Sequence, residues 1–187
     1  ILEADALGQI RTGAASGLAT RLMANPKVAT ATLIGAGWQA ESQLLALDAV
    51  SKLERVFVAN RRPERLAAFI EKMQPLVKAK LEPAASIEAA VRSSQIVTTI
   101  TSSREPVLQG EWLQPGTHVN AAGGNLLLRR ELDEAGVLKP KRIVADSVEQ
   151  CRIESGEFLS AIESGKRHWE DFVELRHVDR KSTRLNS

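Results

Sequence analysis

The sequence predicts an α/β fold, a doubly wound parallel sheet with flanking helices, and three observations carry that expectation. Short runs rich in β-branched residues alternate with longer segments of helical apolar period. Runs such as Ile96-Val97-Thr98-Thr99-Ile100 suit strands covered on both faces. One such run, Ala31-Thr32-Leu33-Ile34, ends in the turn Gly35-Ala36-Gly37-Trp38-Gln39-Ala40, and a helical pattern follows from Glu41 to Val50.

Taken in order, the first expected element is a helix over residues 12–25, halted near Pro26. Its start holds Gly13, Ala14, Ala15, Ser16 and Gly17, small residues that let something approach closely, either a neighbouring helix or a cofactor. Six strands of the sheet are expected at 30–34, 55–59, 77–81, 95–100, 117–121 and 142–146. Pro63 suits the first position of a helix whose Leu66, Phe69, Ile70 and Met73 form one buried stripe. Ser86 suits the cap of a short helix that buries Ile87, Ala90 and Val91. Residues 147–175 read as one or two amphipathic helices, and 176–187, without periodicity, as a disordered tail. The chain thus divides into a leading helix (1–28), a dinucleotide-binding domain (29–150), C-terminal helices (151–175) and the tail (176–187).

Composition narrows the partners. The 187 residues suffice for one α/β domain with its own core. No apolar run approaches the roughly 20 residues of a bilayer span, and no secretory signal is visible. The lone Cys151 offers neither a disulfide nor ligand spacing, which suits a reducing cytoplasm, and His118, His168 and His177 are too scattered for a metal site. Residues 176–187 carry a local +3, so the remainder holds −1 of the formal +2. The basic balance belongs to the tail, and nucleic-acid binding is rejected on that ground. His168, Trp169 and Trp112 read as packing residues.

In the glycine turn, Gly35 allows the tight bend, Gly37 admits a pyrophosphate against the backbone, and Ala40 lets the helix lie close to the strand. The first amides of the helix, carrying roughly half a positive charge, then face the phosphates. This is the fingerprint of a Rossmann-type NAD(P)-binding domain in its required strand-turn-helix context. About 25 residues past Gly35, the second strand ends in Asn60-Arg61-Arg62 rather than in a carboxylate. Neutral Asn60 and two guanidinium groups favour a ribose 2′-phosphate, so NADP(H) is expected over NAD(H). Arg61 and Arg62 also suit a plain solvated loop. The glycine turn, Asn60, Thr101 and Asn120 all fall at the carboxyl ends of strands, on one expected rim.

Ile10-Arg11-Thr12-Gly13-Ala14-Ala15-Ser16-Gly17, followed by Gly110-Glu111-Trp112, Pro115-Gly116 and Val119-Asn120-Ala121, resembles the ornithine cyclodeaminase/mu-crystallin family. The likeness runs from about residue 1 to residue 175. It implies that Arg11 meets a substrate carboxylate, that Thr12 lies near the cofactor phosphates, and that the backbone at Trp38 and Gln39 touches the pyrophosphate. It also implies that Thr101, Ser102 and Asn120 line the nicotinamide, and that Asn60-Arg61 belongs to NADPH-binding members. Cyclodeaminases of the family carry a Gly-Asp-x-Pro-Gly-Lys segment whose aspartate handles the substrate's side-chain amine. This chain has Gly123-Gly124-Asn125-Leu126-Leu127-Leu128 there, and Asn125 cannot act as a base. The resemblance further implies a preceding region with substrate-binding residues, a catalytic lysine and a homodimer interface, so the sequence reads as a fragment with an unrelated tail from Asp179.

The expectation is therefore an NAD(P)H-dependent oxidoreductase that reduces a small cyclic imino acid such as Δ1-pyrroline-2-carboxylate, with Arg11 on the carboxylate. The alternatives are an NAD-dependent ornithine cyclodeaminase and a non-catalytic protein that binds NADPH and a small carboxylate.

Overall fold

The computed structural model describes residues 4–178. Strands β1 (Thr30–Ile34), β2 (Arg55–Ala59), β3 (Lys80–Pro83), β4 (Ile96–Thr99) and β5 (His118–Ala121) form one parallel sheet in the order β3-β2-β1-β4-β5. Side chains alternate across it. Ala31, Leu33 and Ile96 face a core completed by Leu44 and Leu47 of α2 (Trp38–Val50) and by Phe69 and Met73 of α3 (Pro63–Met73). Ile34 and Val97 face the opposite core, with Val91 of α4 (Ile87–Arg92) and Val137 of α5 (Glu134–Leu138). Being covered on both faces is why β1 and β4 read as continuous apolar runs.

Helix α1 (Asp5–Met23) starts seven residues earlier than expected, so Thr12 lies inside it. The small residues serve a neighbouring helix. A Cβ on Gly13 would lie 2.5 Å from the Ser42 carbonyl oxygen, and one on Gly17 would lie 3.0 Å from the Ala46 Cβ. Gly13 and Gly17 meeting Ser42 and Ala46 in turn means that α1 and α2 run parallel, their backbones in near contact.

Ser86 caps α4 by accepting from the Ala89 amide at 3.0 Å, and Pro63 opens α3, both as expected. Strand β3 begins at Lys80 rather than 77, because side chains tie down the residues before it. Asp48 Oδ1 accepts from the Lys78 amide at 3.0 Å, and the Gln74 amide nitrogen donates to the Ala79 carbonyl at 3.1 Å. Pro83 lacks an amide hydrogen and is tolerated because β3 is an edge.

The expected sixth strand is a correction. β6 (Ile143–Ala145) leaves the main sheet and pairs in parallel with β7 (Phe172–Glu174). The reason lies in an aromatic cluster: Phe172 is buried, with the Phe158 ring edge-on at 4.7 Å and Trp169 at 5.0 Å. Residues 147–175 therefore hold α6 (Val148–Glu154), α7 (Leu159–Glu163) and a strand, not helices alone. Residues 175–177 form a 3-10 turn, so the expected disordered tail is corrected at its first residues, and 179–187 lie outside the described residues.

Replacing Gly13 with Ala should cost about 1–3 kcal/mol, because the added carbon meets α2 backbone. Gly8→Ala meets nothing within 4 Å and should stabilise by up to about 1 kcal/mol through helix propensity. Urea midpoints of the two variants, moving in opposite directions, check both.

Candidate functional site

The strand order reverses at β1, which has β2 on one side and β4 on the other. In such sheets a ligand crevice opens beyond the carboxyl ends of the strands at that point. Here the Gly35 amide donates to the Ala59 carbonyl at 2.9 Å and the Ile100 amide to the Ile34 carbonyl at 2.9 Å, tying the three strand ends together. Gly35 has φ +121°, and a Cβ on it would sit 2.3 Å from the Ile100 carbonyl oxygen. Only glycine fits.

Gly37 is different. Its φ of −96° suits any residue, and a Cβ there would meet nothing within 4 Å. The chain itself has no need of glycine at this position. Open space in front of the first turn of α2 is what a pyrophosphate against bare backbone requires, so the residues present fit a dinucleotide. Ala40 is fully buried against the sheet, and half-exposed Trp38 has its carbonyl held by the Gln9 side-chain amide of α1. Among the described residues, buried Gln39 Oε1 has no hydrogen-bond partner.

Because Gln9 reaches Trp38 and Gly13 meets Ser42, the first half of α1 lies level with the first turn of α2. Arg11 is exposed there, and Thr12 Oγ1 donates to the Gly8 carbonyl at 2.8 Å. After β2, Asn60 Oδ1 accepts from the Arg62 amide at 2.8 Å, which shapes the turn into α3. Arg61 and Arg62 are exposed, and among the described residues neither is engaged in an ion pair. Thr101 and Ser102 follow β4, with Thr101 Oγ1 accepting from the Ser103 amide at 3.2 Å. Ser102 borders a groove of about 650 Å³ that also takes in Arg104, Asn125, Leu127, Arg129 and Glu154.

Asn120 departs from the expected rim. It lies one residue inside the end of β5, is buried, and donates to Thr20 Oγ1 at 3.0 Å and Thr98 Oγ1 at 3.2 Å. Its Oδ1 pairs with His118 Nε2 at 3.0 Å. With Asn120 donating elsewhere, His118 must be the donor in that pair. Asn120 thus clamps α1 onto β4 and β5, its polar atoms taken up inside the protein. Burial pulls the His118 imidazole down to about 4, so it is neutral at physiological pH.

Sequence reasoning passed over two buried acids. Glu131 is completely buried, and its carboxylate accepts from Thr99 Oγ1 at 2.7 Å, the Thr101 amide at 2.5 Å and the Gly123 amide at 2.8 Å. Glu157 accepts from the Glu131 amide at 2.5 Å and the Leu132 amide at 3.0 Å. Burial pushes the Glu157 carboxyl up to about 7. Nothing in Arg130-Glu131-Leu132 distinguishes Glu131 from surface acids nearby. The only clue was glycine: a Cβ on Gly123 would strike Thr101 and Glu131 within 2.6 Å. Cys151, raised to about 11 mainly by burial, is an unreactive thiol.

The sheet, the switch point and the glycine turn define a Rossmann-type dinucleotide-binding domain. A sequence model of the ornithine cyclodeaminase/mu-crystallin family matches residues 1–180, and the chain belongs to that family. It is 34% identical over 165 residues to a Δ1-pyrroline-2-carboxylate reductase from Bacillus cereus, covering 88% of this chain and 50% of that protein. To ketimine reductase mu-crystallin from Mus musculus it is 31% identical over 159 residues, covering 85% and 49%. The solved Δ1-pyrroline-2-carboxylate reductase of Thermococcus litoralis, in complex with NADH and L-proline, superposes with a TM-score of 0.89 at 34% identity, covering 94% of this chain and 54% of that one. The chain spans about half the length of the curated relatives it matches. Among the described residues, no helix is long and apolar enough to cross a membrane.

Two glycine variants separate folding from binding. Gly35→Ala should cost about 3 kcal/mol or more, through strain and collision with Ile100. Gly37→Ala should keep stability within about 1 kcal/mol while dinucleotide affinity falls at least about tenfold, as read by denaturant unfolding and calorimetry. For His118 the unfolded imidazole titrates near 6.5 and the native one near 4. Between those values the unfolded chain binds more protons, so stability falls as pH drops from 6.5 to 4. His118→Gln should show a smaller loss of thermal midpoint across that window.

Proposed function

We propose that the protein carrying this chain is an NAD(P)H-dependent reductase of a small cyclic imino acid, with Δ1-pyrroline-2-carboxylate as the type substrate. The open space at Gly37 before the first turn of α2 carries the reading. The reductases and the NADH complex among its relatives support it. The nicotinamide cofactor, when bound, supplies the hydride. The chain's own work is placement. Gly35 holds the backbone turn, Gly37 leaves the space before the helix open, and the amides at Trp38 and Gln39 receive the pyrophosphate. Thr101 and Ser102, at the end of β4, lie on the nicotinamide side. Arg11, exposed and level with the first turn of α2, is available as a fork for the substrate carboxylate.

The preference for NADP(H) rests on Asn60, Arg61 and Arg62. With Asn60 turned onto the Arg62 amide, no carboxylate stands at the end of β2, and both guanidinium groups are free of ion pairs among the described residues. Asn125, whose Oδ1 accepts from Arg129 at 2.9 Å, argues against deamination of a diamine, since it offers an ammonium group no full charge. Homodimer assembly belongs to the same reading.

Calorimetry with NADPH and NADH tests the cofactor assignment. NADPH should bind more tightly, and Arg61→Glu with Arg62→Glu should weaken it by about 10–100-fold while changing NADH by less than about threefold. Tighter NADH binding by the unmutated protein would reverse the preference. Oxidation of NADPH in the presence of Δ1-pyrroline-2-carboxylate checks the reaction, and Arg11→Ala should raise KM for the imino acid. Ammonia release from ornithine would instead identify a cyclodeaminase.

A further inference from the structure

We infer that Glu131 and Glu157 are positioning residues for the half of the crevice built on β4 and β5, an inference that rests on the dinucleotide reading above. Strand order divides the crevice. Asn60 to Arg62 follow β2 on one side of β1, and the other mononucleotide half falls over β4 and β5. The last rung between those strands is the Ala122 amide donating to the Thr99 carbonyl at 2.9 Å, and beyond it the loops at Thr101 and Gly123 leave side by side. Past that rung, the Glu131 carboxylate accepts from the amides of both loops.

The chemistry of that carboxylate is specific. Three donors converge on it: the Thr101 amide at Oε1, and the Gly123 amide and Thr99 hydroxyl at Oε2. Both loop amides need an acceptor, and only a carboxylate presents one at each end. A glutamine in the same place must aim its own NH2 at one of the two, whichever way it is turned. A buried carboxylate is expensive, and apolar packing of the same volume is commonly as stable. What apolar packing cannot do is hold two loop amides at a set separation.

Glu157 acts one step further back. Its two oxygens hold the amides of Glu131 and Leu132, fixing the backbone from which the Glu131 side chain springs. The Glu131 carbonyl in turn accepts from Val107 at 2.8 Å and Leu108 at 2.9 Å, so the segment is anchored on both sides. Small residues make room for the pair. A Cβ on Gly123 would lie 2.6 Å from Glu131 Oε1, and one on Gly124 would lie 3.2 Å from Glu157 Oε1. On Gly156, beside Glu157, a Cβ would lie 2.3 Å from the Leu127 carbonyl oxygen.

The test compares NADH with ADP-ribose, which lacks the nicotinamide ring. In Glu131→Gln, NADH affinity should fall about tenfold and the emission of bound NADH should change, while ADP-ribose affinity stays within about twofold. Amide exchange measured without ligand should speed up at Thr101 or Gly123. Glu157→Gln, with Glu131 intact, should give the same pattern in weaker form and serves if Glu131→Gln fails to fold. Equal weakening of both ligands, or unchanged exchange at both amides in a folded variant, overturns the inference. If the unmutated chain binds neither NADH nor ADP-ribose, the proposed function fails first, and this inference falls with it.

Discussion

At Gly35 the backbone turns with φ +121° and passes so near the Ile100 carbonyl that no side chain fits. That contact joins the ends of β1 and β4, starts α2 at a defined angle, and aims the first amides of the helix along the edge of the sheet. Much else follows from it. Because α2 starts there, Ala40, Leu44 and Leu47 fall against the sheet, and Ser42 and Ala46 are left to meet the glycine face of α1. Because α1 lies parallel on α2, Arg11 and Thr12 stand level with the turn.

Two sets of buried polar groups hold that geometry. On one face, Thr20, Thr98, His118 and Asn120 form a closed hydrogen-bonded layer between α1 and strands β4 and β5. On the other, Glu131 and Glu157 bind backbone amides rather than each other's charge. Each group would be costly alone, and each is retained because its partners are fixed in direction. Apolar packing can slide; these contacts cannot without leaving a buried donor or acceptor unpaired.

Legibility in the sequence varied with the range of the cause. Strands β1, β2, β4 and β5 were readable because β-branched runs end at local turn signals. The start of α1 was not, since residues 5–11 show little beyond ordinary helix formers and one glycine. β3 shifted because Asp48 and Gln74, remote or sideways in the chain, tie up the residues before it. β6 and β7 have three residues each, too few for a period, and an aromatic cluster around Phe172 chose their pairing. In the candidate site, the turn at Gly35 and Gly37 and the lack of a carboxylate at Asn60-Arg61-Arg62 were legible from the sequence alone. Asn120 was legible as a strand-end residue, but which way it faced depended on α1.

Sequence by itself determined the turn and its chemistry: two glycines and an alanine at fixed spacing after a buried strand, and a second strand ending without a carboxylate. Such features are local, because backbone freedom and side-chain charge belong to the residues themselves. Tertiary structure alone decided that the glycines of α1 serve α2, that Asn120 points inward, and that two acids from distant segments hold the strand-end loops. Those outcomes hang on which surfaces meet, and a buried carboxylate looks no different from an exposed one until its donors arrive.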